Sequence, residues 1–417
     1  MTYAIQNHCR LCASDQLVDF FDLGLQTLSG CFPAANEADP PKAPLTLCRC
    51  QNCNLVQLRH STDPKQMFTS KYGYRSALNS SMKKHLQELQ NWCVDICPVK
   101  SGDLVVDIGA NDGTLLGAWQ KHQVVRLAID PILEKFFKLY PKDIEQYAGF
   151  FTKELAANAL SNRKAKIITS ISMFYDLPDP NDFVAGIAAS LADDGIWVLE
   201  QSYLPTMLER NSFDTICHEH LEYYAFRQIE ILAKTHDLRI IDVQLNDCNG
   251  GSLRLALAHK DSDFAINKQT KEELQTKEEK LQLNTDQPYT AFSQRVENLR
   301  SETISLLQKL KSQGKSVWVY GASTKGNVLL QHYGLGAELL AGVVEVNPEK
   351  FGHRTPGTNL LIRDETNILA ENPDYFLVLP WHFRENILAR AQPYLNSGVK
   401  FIFPLPQLEI IGKLDAG

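Results

Sequence analysis

The chain reads as an α/β protein: a small cysteine-rich module at the N-terminus, then two successive parallel sheets covered by helices. Three observations predict this. Its 417 residues, 44% hydrophobic and 22% charged, match ordinary soluble composition and amount to about three domains at roughly 150 residues each. Six of the ten cysteines fall within the first 53 residues. Short apolar runs alternate with helical periodicity through the middle of the chain and again from residue 316, the pattern of strands joined by crossover helices. Forty-nine acids against 42 bases leave a net charge of −7, which disfavours nucleic acid and anionic lipid as partners. The most apolar runs, such as Tyr375–Trp381, fall far short of the ~20 residues of a membrane helix. No basic stretch followed by an apolar run marks the N-terminus, so a cytoplasmic protein with reduced thiols is expected.

The first element is the cysteine module, residues 1–66. Cys9/Cys12 and Cys50/Cys53 form two Cys-x-x-Cys knuckles. Each knuckle brings two thiolates to one tetrahedral ion, and two complete a closed four-sulfur shell, so a structural Zn2+ is expected. Cys48 lacks the knuckle spacing and is read as a bystander. With no open coordination position, the metal holds the module together and does no chemistry.

A central domain follows over 67–265. A tyrosine-rich loop leads into an amphipathic helix marked by Leu86, Leu89, Trp92, Cys93 and Ile96. Then "VVDIGANDG" (105–113) runs from a strand through a glycine turn into a helix, and "LAID" ends the next strand at Asp130. Asp107, Gly109, Asn111, Asp112 and Gly113 line up differently from the Gly-x-Gly-x-x-Gly of dinucleotide folds. The spacing resembles the first motif of class I S-adenosylmethionine-dependent methyltransferases. Glycine lets the backbone approach a ligand, a strand-end carboxylate meets the methionine amino group, and an acid about 20 residues on accepts the ribose hydroxyls.

The segment 200–226, "EQSYLPTMLERNSFDTICHEHLEYYAF", gathers Glu200, Tyr203, Asp214, His218, Glu219, His220, Tyr223 and Tyr224. His218 and His220 do not share a helical face, so the spacing is not that of a catalytic metal pair. Methylation at carbon first requires loss of a proton, and a neutral imidazole suits that task beside a carbonyl. Glu219 and the tyrosines are candidates to orient it or to hold the developing oxyanion. Polar helices broken near Pro288 form a linker at 266–300. The βα pattern then restarts over 301–417 with "VYGASTKGNVLL", a strand, turn and helix that make an anion site with Lys325. Glu345 at a following strand end is placed to meet a ribose or base edge. Trp381 after another strand either stacks on a base or caps the core, and Arg254 after the "NGG" turn is placed to meet a phosphate.

Taken in order, the two CxxC knuckles, "YGYRSALNSSMKKH", "VVDIGANDG", "FDTICHEHLEYY", "NGGSLR" and "YGASTKGNVLLQ" resemble the three-domain nucleotide-sugar C-methyltransferases of deoxysugar biosynthesis. The resemblance spans nearly the whole chain. It implies a zinc-binding N-terminal module, a central class I methyltransferase Rossmann-like domain and a C-terminal Rossmann-like domain that helps hold a nucleoside-diphosphate keto sugar. The family deprotonates a 4-keto-6-deoxy sugar at C3 and passes the methyl of S-adenosylmethionine to the enolate. By position, His220 is then the base with Glu219 beside it, and Tyr72 and Tyr74 lie in the segment that supplies an active-site tyrosine. His218, Tyr224, Arg254, Lys325, Glu345 and Trp381 are the expected substrate contacts. The chain departs from the family where Tyr175 and Asp176 stand near the place of a further histidine, and Cys217 near that of a tyrosine. The residues by themselves leave open an O- or N-methyltransferase, or a zinc protein that only senses nucleotides.

Overall fold

The apolar runs become strands because β-branched and aromatic residues fill them and glycine or proline turns bound them. In the computed structural model, which describes residues 3–68 and 74–412, they build three main sheets. Strands Leu17–Thr27, Lys42–Cys50 and Val56–Leu58 form an antiparallel sheet in the N-terminal module. Its fourth strand is Glu222–Tyr223, supplied by the central region through pairing with Val56 and Gln57.

The central sheet has seven strands in spatial order 238–246, 252–259, 191–202, 165–171, 104–108, 125–130, 144–148. All run parallel except Ser252–His259, which is antiparallel to both neighbours. Strand Leu104–Ile108 is buried along its whole length, as a run sandwiched between helices must be. Helix Ser80–Ile96 buries Met82, Leu86, Leu89 and Cys93 on one face, the stripe set by its helical spacing. Helices Lys153–Leu160 and Pro180–Ser190 occupy the two segments with helical periodicity between strands.

The linker forms helices Lys268–Lys280 and Gln287–Ser312. Pro288 sits in the first turn of the second, where its missing N–H costs nothing. The C-terminal sheet orders its strands 362–364, 343–345, 317–320, 375–378, 400–403, 409–411, parallel save the last. In both parallel sheets the first strand lies inside, with its chain-order successor on one side, so the turns after the first strands open at a topological switch point. No helix among the described residues is long and apolar enough to cross a membrane.

Candidate active site

The four knuckle sulfurs lie within 4.8 Å of one another, with Cys9 Sγ 3.5 Å from Cys53 Sγ and Cys12 Sγ 3.6 Å from Cys50 Sγ. Four sulfurs at Zn–S bonds of about 2.3 Å need edges of roughly 3.8 Å, so this set fits a tetrahedral ion. Cys48 stands apart, its Sγ against the Gln57 carbonyl and its thiol pushed up to about 12 by burial. The knuckles also grip the "HEH" segment. The Arg10 guanidinium donates to the Leu58 and Leu221 carbonyls and lies 3.4 Å from Glu222, while Gln228 Nε2 donates to the Cys53 carbonyl.

The glycine turn of the central sheet opens on a cavity of about 400 Å3. Asp107, Gly109, Asn111 and Asp130 line it, with Ile132, Phe150 and Phe151 as an apolar wall. Gly109 has φ +73°, and a Cβ there would lie 2.9 Å from Met173, so only glycine leaves the turn open. Asp130 accepts the amide N–H groups of Asn111 at 2.9 Å and Ile132 at 2.7 Å. Asp107 accepts from Thr169 Oγ1, and burial, with Asp130 nearby, pushes its pKa up to about 7. Two acids, an apolar wall and this volume fit S-adenosylmethionine. Asp112 and Gly113 have other work. The Asp112 carboxylate accepts from the Ala77 amide and Thr114, fastening the loop before helix 80–96, and a Cβ on Gly113 would meet Tyr140 at 2.8 Å. Asn111 shares in the fastening through the Ser76 amide and Tyr74 carbonyl.

His220 lies on the "HEH" turn with Nδ1 2.7 Å from the Thr215 carbonyl. That bond requires Nδ1 to carry the proton, which leaves Nε2 as a free base. The imidazole packs on Tyr175 at 4.3 Å between ring centroids. Burial, then the Lys325 charge, push its pKa down to about 3, so it is neutral across the physiological range. Glu219 is buried with Oε2 unpartnered, and burial raises its pKa. A side chain on Gly30 would strike Glu219 Oε1, so the N-terminal module also closes this side. Asp176 reaches the cofactor cavity with a buried, unpartnered Oδ1, its pKa raised by burial and by the nearby Glu219 and Glu222 charges.

A second cavity of about 520 Å3 lies over the C-terminal glycine turn, walled by Gly321–Ser323, Glu345, Lys350 and Arg390, with Tyr74 and Met82 common to both cavities. Glu345 accepts the Ala322 amide at 2.8 Å and those of Val346 and Asn347.

Four expected substrate contacts are corrected by the structure. His218 is buried with Nε2 on the Ala43 carbonyl, its pKa pushed down to about 4 by burial. Tyr224 is sealed in the core against Phe174. Arg254 is buried, its Nε 2.6 Å from Glu200 Oε2, and Glu200 also pairs with His85, so the guanidinium braces helix 80–96 and is not free for phosphate. Trp381 donates from Nε1 to Asp214 at 2.8 Å, tying the C-terminal domain to the "HEH" segment, and has no face left for a base. Tyr72 lies outside the described residues. Sequence reasoning missed Gly30, which long-range packing alone brings against Glu219; Asp176 was singled out only as a departure from the family, and Asn249 only as part of the "NGG" turn.

Three family models cover the chain in succession: a zinc binding domain over 9–68, a methyltransferase domain over 75–243, and a C-methyltransferase C-terminal domain over 247–406. The C-methyltransferase NovU of Streptomyces niveus is 29% identical over 408 residues, 97% of each chain. A solved S-adenosylmethionine-dependent methyltransferase from Clostridium acetobutylicum matches 42% of this chain and 92% of its own at 16% identity, TM-score 0.34. The mitomycin 7-O-methyltransferase MmcR matches 44% and 55% at 14% identity, TM-score 0.36.

Proposed function

We propose that this S-adenosylmethionine-dependent C-methyltransferase, built with the zinc-binding, methyltransferase and C-terminal domains of its family, methylates a nucleoside-diphosphate 4-keto-6-deoxy sugar at the carbon next to its ketone, C3. The observation that carries the reading is the state of His220: Nδ1–H is held by the Thr215 carbonyl, which leaves Nε2 without the proton, on a half-buried ring that stays neutral. A carbon acceptor has no lone pair until it loses a proton, and an imidazole with a free Nε2 is the kind of group that takes it; a base also serves transfer to oxygen or nitrogen, so exchange at carbon is the readout that separates them. The two cavities meeting at Tyr74 and Met82 suit a ligand whose nucleotide rests on the C-terminal turn while its sugar reaches toward the cofactor.

In the proposed reaction His220 Nε2 takes the proton alpha to the ketone, and the C–H electron pair moves onto the carbonyl oxygen as an enolate. Thr215 fixes the ring so that this lone pair keeps one direction. When bound, S-adenosylmethionine would supply an electrophilic methyl group and leave as its thioether, with Asp107 and Asp130 placed to hold its amino group and ribose. Once the enolate carbon is methylated, His220 releases its proton to solvent. Zinc enters none of these steps.

The test is mass spectrometry of zinc-loaded protein with S-adenosylmethionine and a panel of thymidine- and guanosine-diphosphate 4-keto-6-deoxy sugars in D2O. One added methyl, with deuterium at the alpha carbon in the control lacking cofactor, is expected. A methyl gained without any exchange at carbon would move the reading to oxygen or nitrogen transfer.

A further inference from the structure

We propose that Lys325, carried by the C-terminal domain, binds the ketone oxygen of the substrate and holds the charge of the enolate, so that the catalytic centre is shared between two domains. This deepens the functional reading above and rests on it. The sequence placed Lys325 at a diphosphate site, because it follows a glycine turn at a helix start. Its side chain goes elsewhere.

Lys325 is the second residue of helix Thr324–Tyr333, yet it is not among the residues that wall the C-terminal cavity. Its Nζ donates to the Asn249 carbonyl at 2.7 Å. Asn249 belongs to the "NGG" turn of the central domain and holds a left-handed φ of +54°. Its own Nδ2 faces Ser172 Oγ at 3.3 Å, and Ser172 is a wall of the cofactor cavity. Two hydrogen bonds therefore link the lysine nitrogen to a residue in the wall of the cofactor cavity. The neighbouring Thr324 and Glu219 converge on Gly30, where an added Cβ would strike Glu219 Oε1 and lie 3.7 Å from Thr324 Oγ1. The start of this helix thus abuts the "HEH" turn.

The titratable groups that feel the Lys325 charge are His220, Asp214 and His382. Asp214 accepts from Trp381 through Oδ2, while its buried Oδ1 has no hydrogen-bond partner and faces the lysine charge. A lysine head carries three N–H donors, so the Asn249 carbonyl leaves two for a ligand. A fixed cation in a water-poor site favours an oxyanion far more than it favours a neutral ketone, which is the differential binding that lowers a barrier. The same cation discourages a resting imidazolium, and an enolate between lysine and imidazolium satisfies both.

The experiment compares wild type, Lys325→Gln and Lys325→Arg as zinc-loaded full chains, with S-adenosylmethionine binding by calorimetry as the check on folding. Lys325→Gln is expected to lower kcat and alpha-proton exchange by about 100-fold or more, with Lys325→Arg in between and the affinity for free nucleoside diphosphate unchanged. A diphosphate contact would give the opposite split, weaker nucleotide binding with near-normal kcat at saturation, and would overturn the proposal. NMR titration of His220 without substrate adds a second reading: its pKa rises in Lys325→Gln, and an unmoved value overturns the geometry. An active wild type beside an equally active Lys325→Gln breaks this inference alone. A wild type that methylates no ketone breaks the functional reading and takes the inference with it.

Discussion

In the central sheet, strand 104–108 ends in a glycine turn whose Asn111 amide is held by Asp130 at 2.9 Å; in the C-terminal sheet, strand 317–320 ends in a glycine turn whose Ala322 amide is held by Glu345 at 2.8 Å. The acid at the end of the second strand does the same work in both, bracing the turn from the neighbouring strand. The difference lies in what flanks it. The central strand carries a second acid, Asp107, where the C-terminal strand has Val319. Its turn leads through left-handed Gly113 into a helix of five residues, Thr114–Ala118. The C-terminal turn leads through Ser323, which caps a helix of ten residues and is followed by Lys325. Two acids suit a ligand with an amino group and ribose hydroxyls; a capped helix start with a cation suits developing negative charge. A strand-end acid alone therefore marks a braced glycine turn and not its ligand.

Five perturbations sharpen or break this contrast. The largest effect is expected from removing zinc, since the knuckles hold the chain around the "HEH" turn through Arg10 on the Leu221 carbonyl and Gln228 on the Cys53 carbonyl. Chelation should abolish methyl transfer while calorimetry still finds S-adenosylmethionine binding to the central domain. Retained turnover in zinc-free protein would show that the segment stands without them. Next, Asp130→Asn should weaken cofactor binding by about 10- to 100-fold, the worth of one or two charge-assisted hydrogen bonds, whereas Glu345→Gln should leave it within about twofold and raise KM for the sugar nucleotide. Equal losses of cofactor from both variants would erase the distinction between the sheets.

Smaller effects are expected in stability. Gly113→Ala forces a Cβ into left-handed backbone at φ +75° and against Tyr140, and should cost roughly 2 kcal/mol in denaturant unfolding. Ser323→Ala removes the side-chain bond to the Gly326 amide at 3.0 Å and should cost about 1 kcal/mol. The reverse order would mean that the C-terminal turn, not the central one, is the more tightly constrained.

Much of this was legible in the sequence wherever chemistry depends on spacing along the chain. Paired knuckles, Asp107 and Gly109 in one turn, and an acid at the end of the next strand are local patterns, and the structure brings each set together. His220 is singled out by its residue type and its company, and its role as the base is the proposal made above. What stayed hidden was direction. His218, Tyr224, Arg254 and Trp381 have the right chemistry for ligands, but folding turns them onto Ala43, the core, Glu200 and Asp214. Lys325 illustrates the same limit from the other side, since a motif that reads as an anion loop sends its cation across a domain boundary to Asn249. Strand 222–223 pairs with 56–57 across more than 160 residues of chain, a partnership set by tertiary packing and invisible to periodicity.

The most direct test of carbon methylation through a histidine base is solvent deuterium exchange at the alpha carbon of the keto sugar, followed for wild type and His220→Asn without cofactor. Wild type should exchange the proton; His220→Asn should slow it by about 100-fold or more while binding S-adenosylmethionine normally. Exchange at the wild-type rate in His220→Asn would contradict the assignment of the base and, with it, the proposed chemistry.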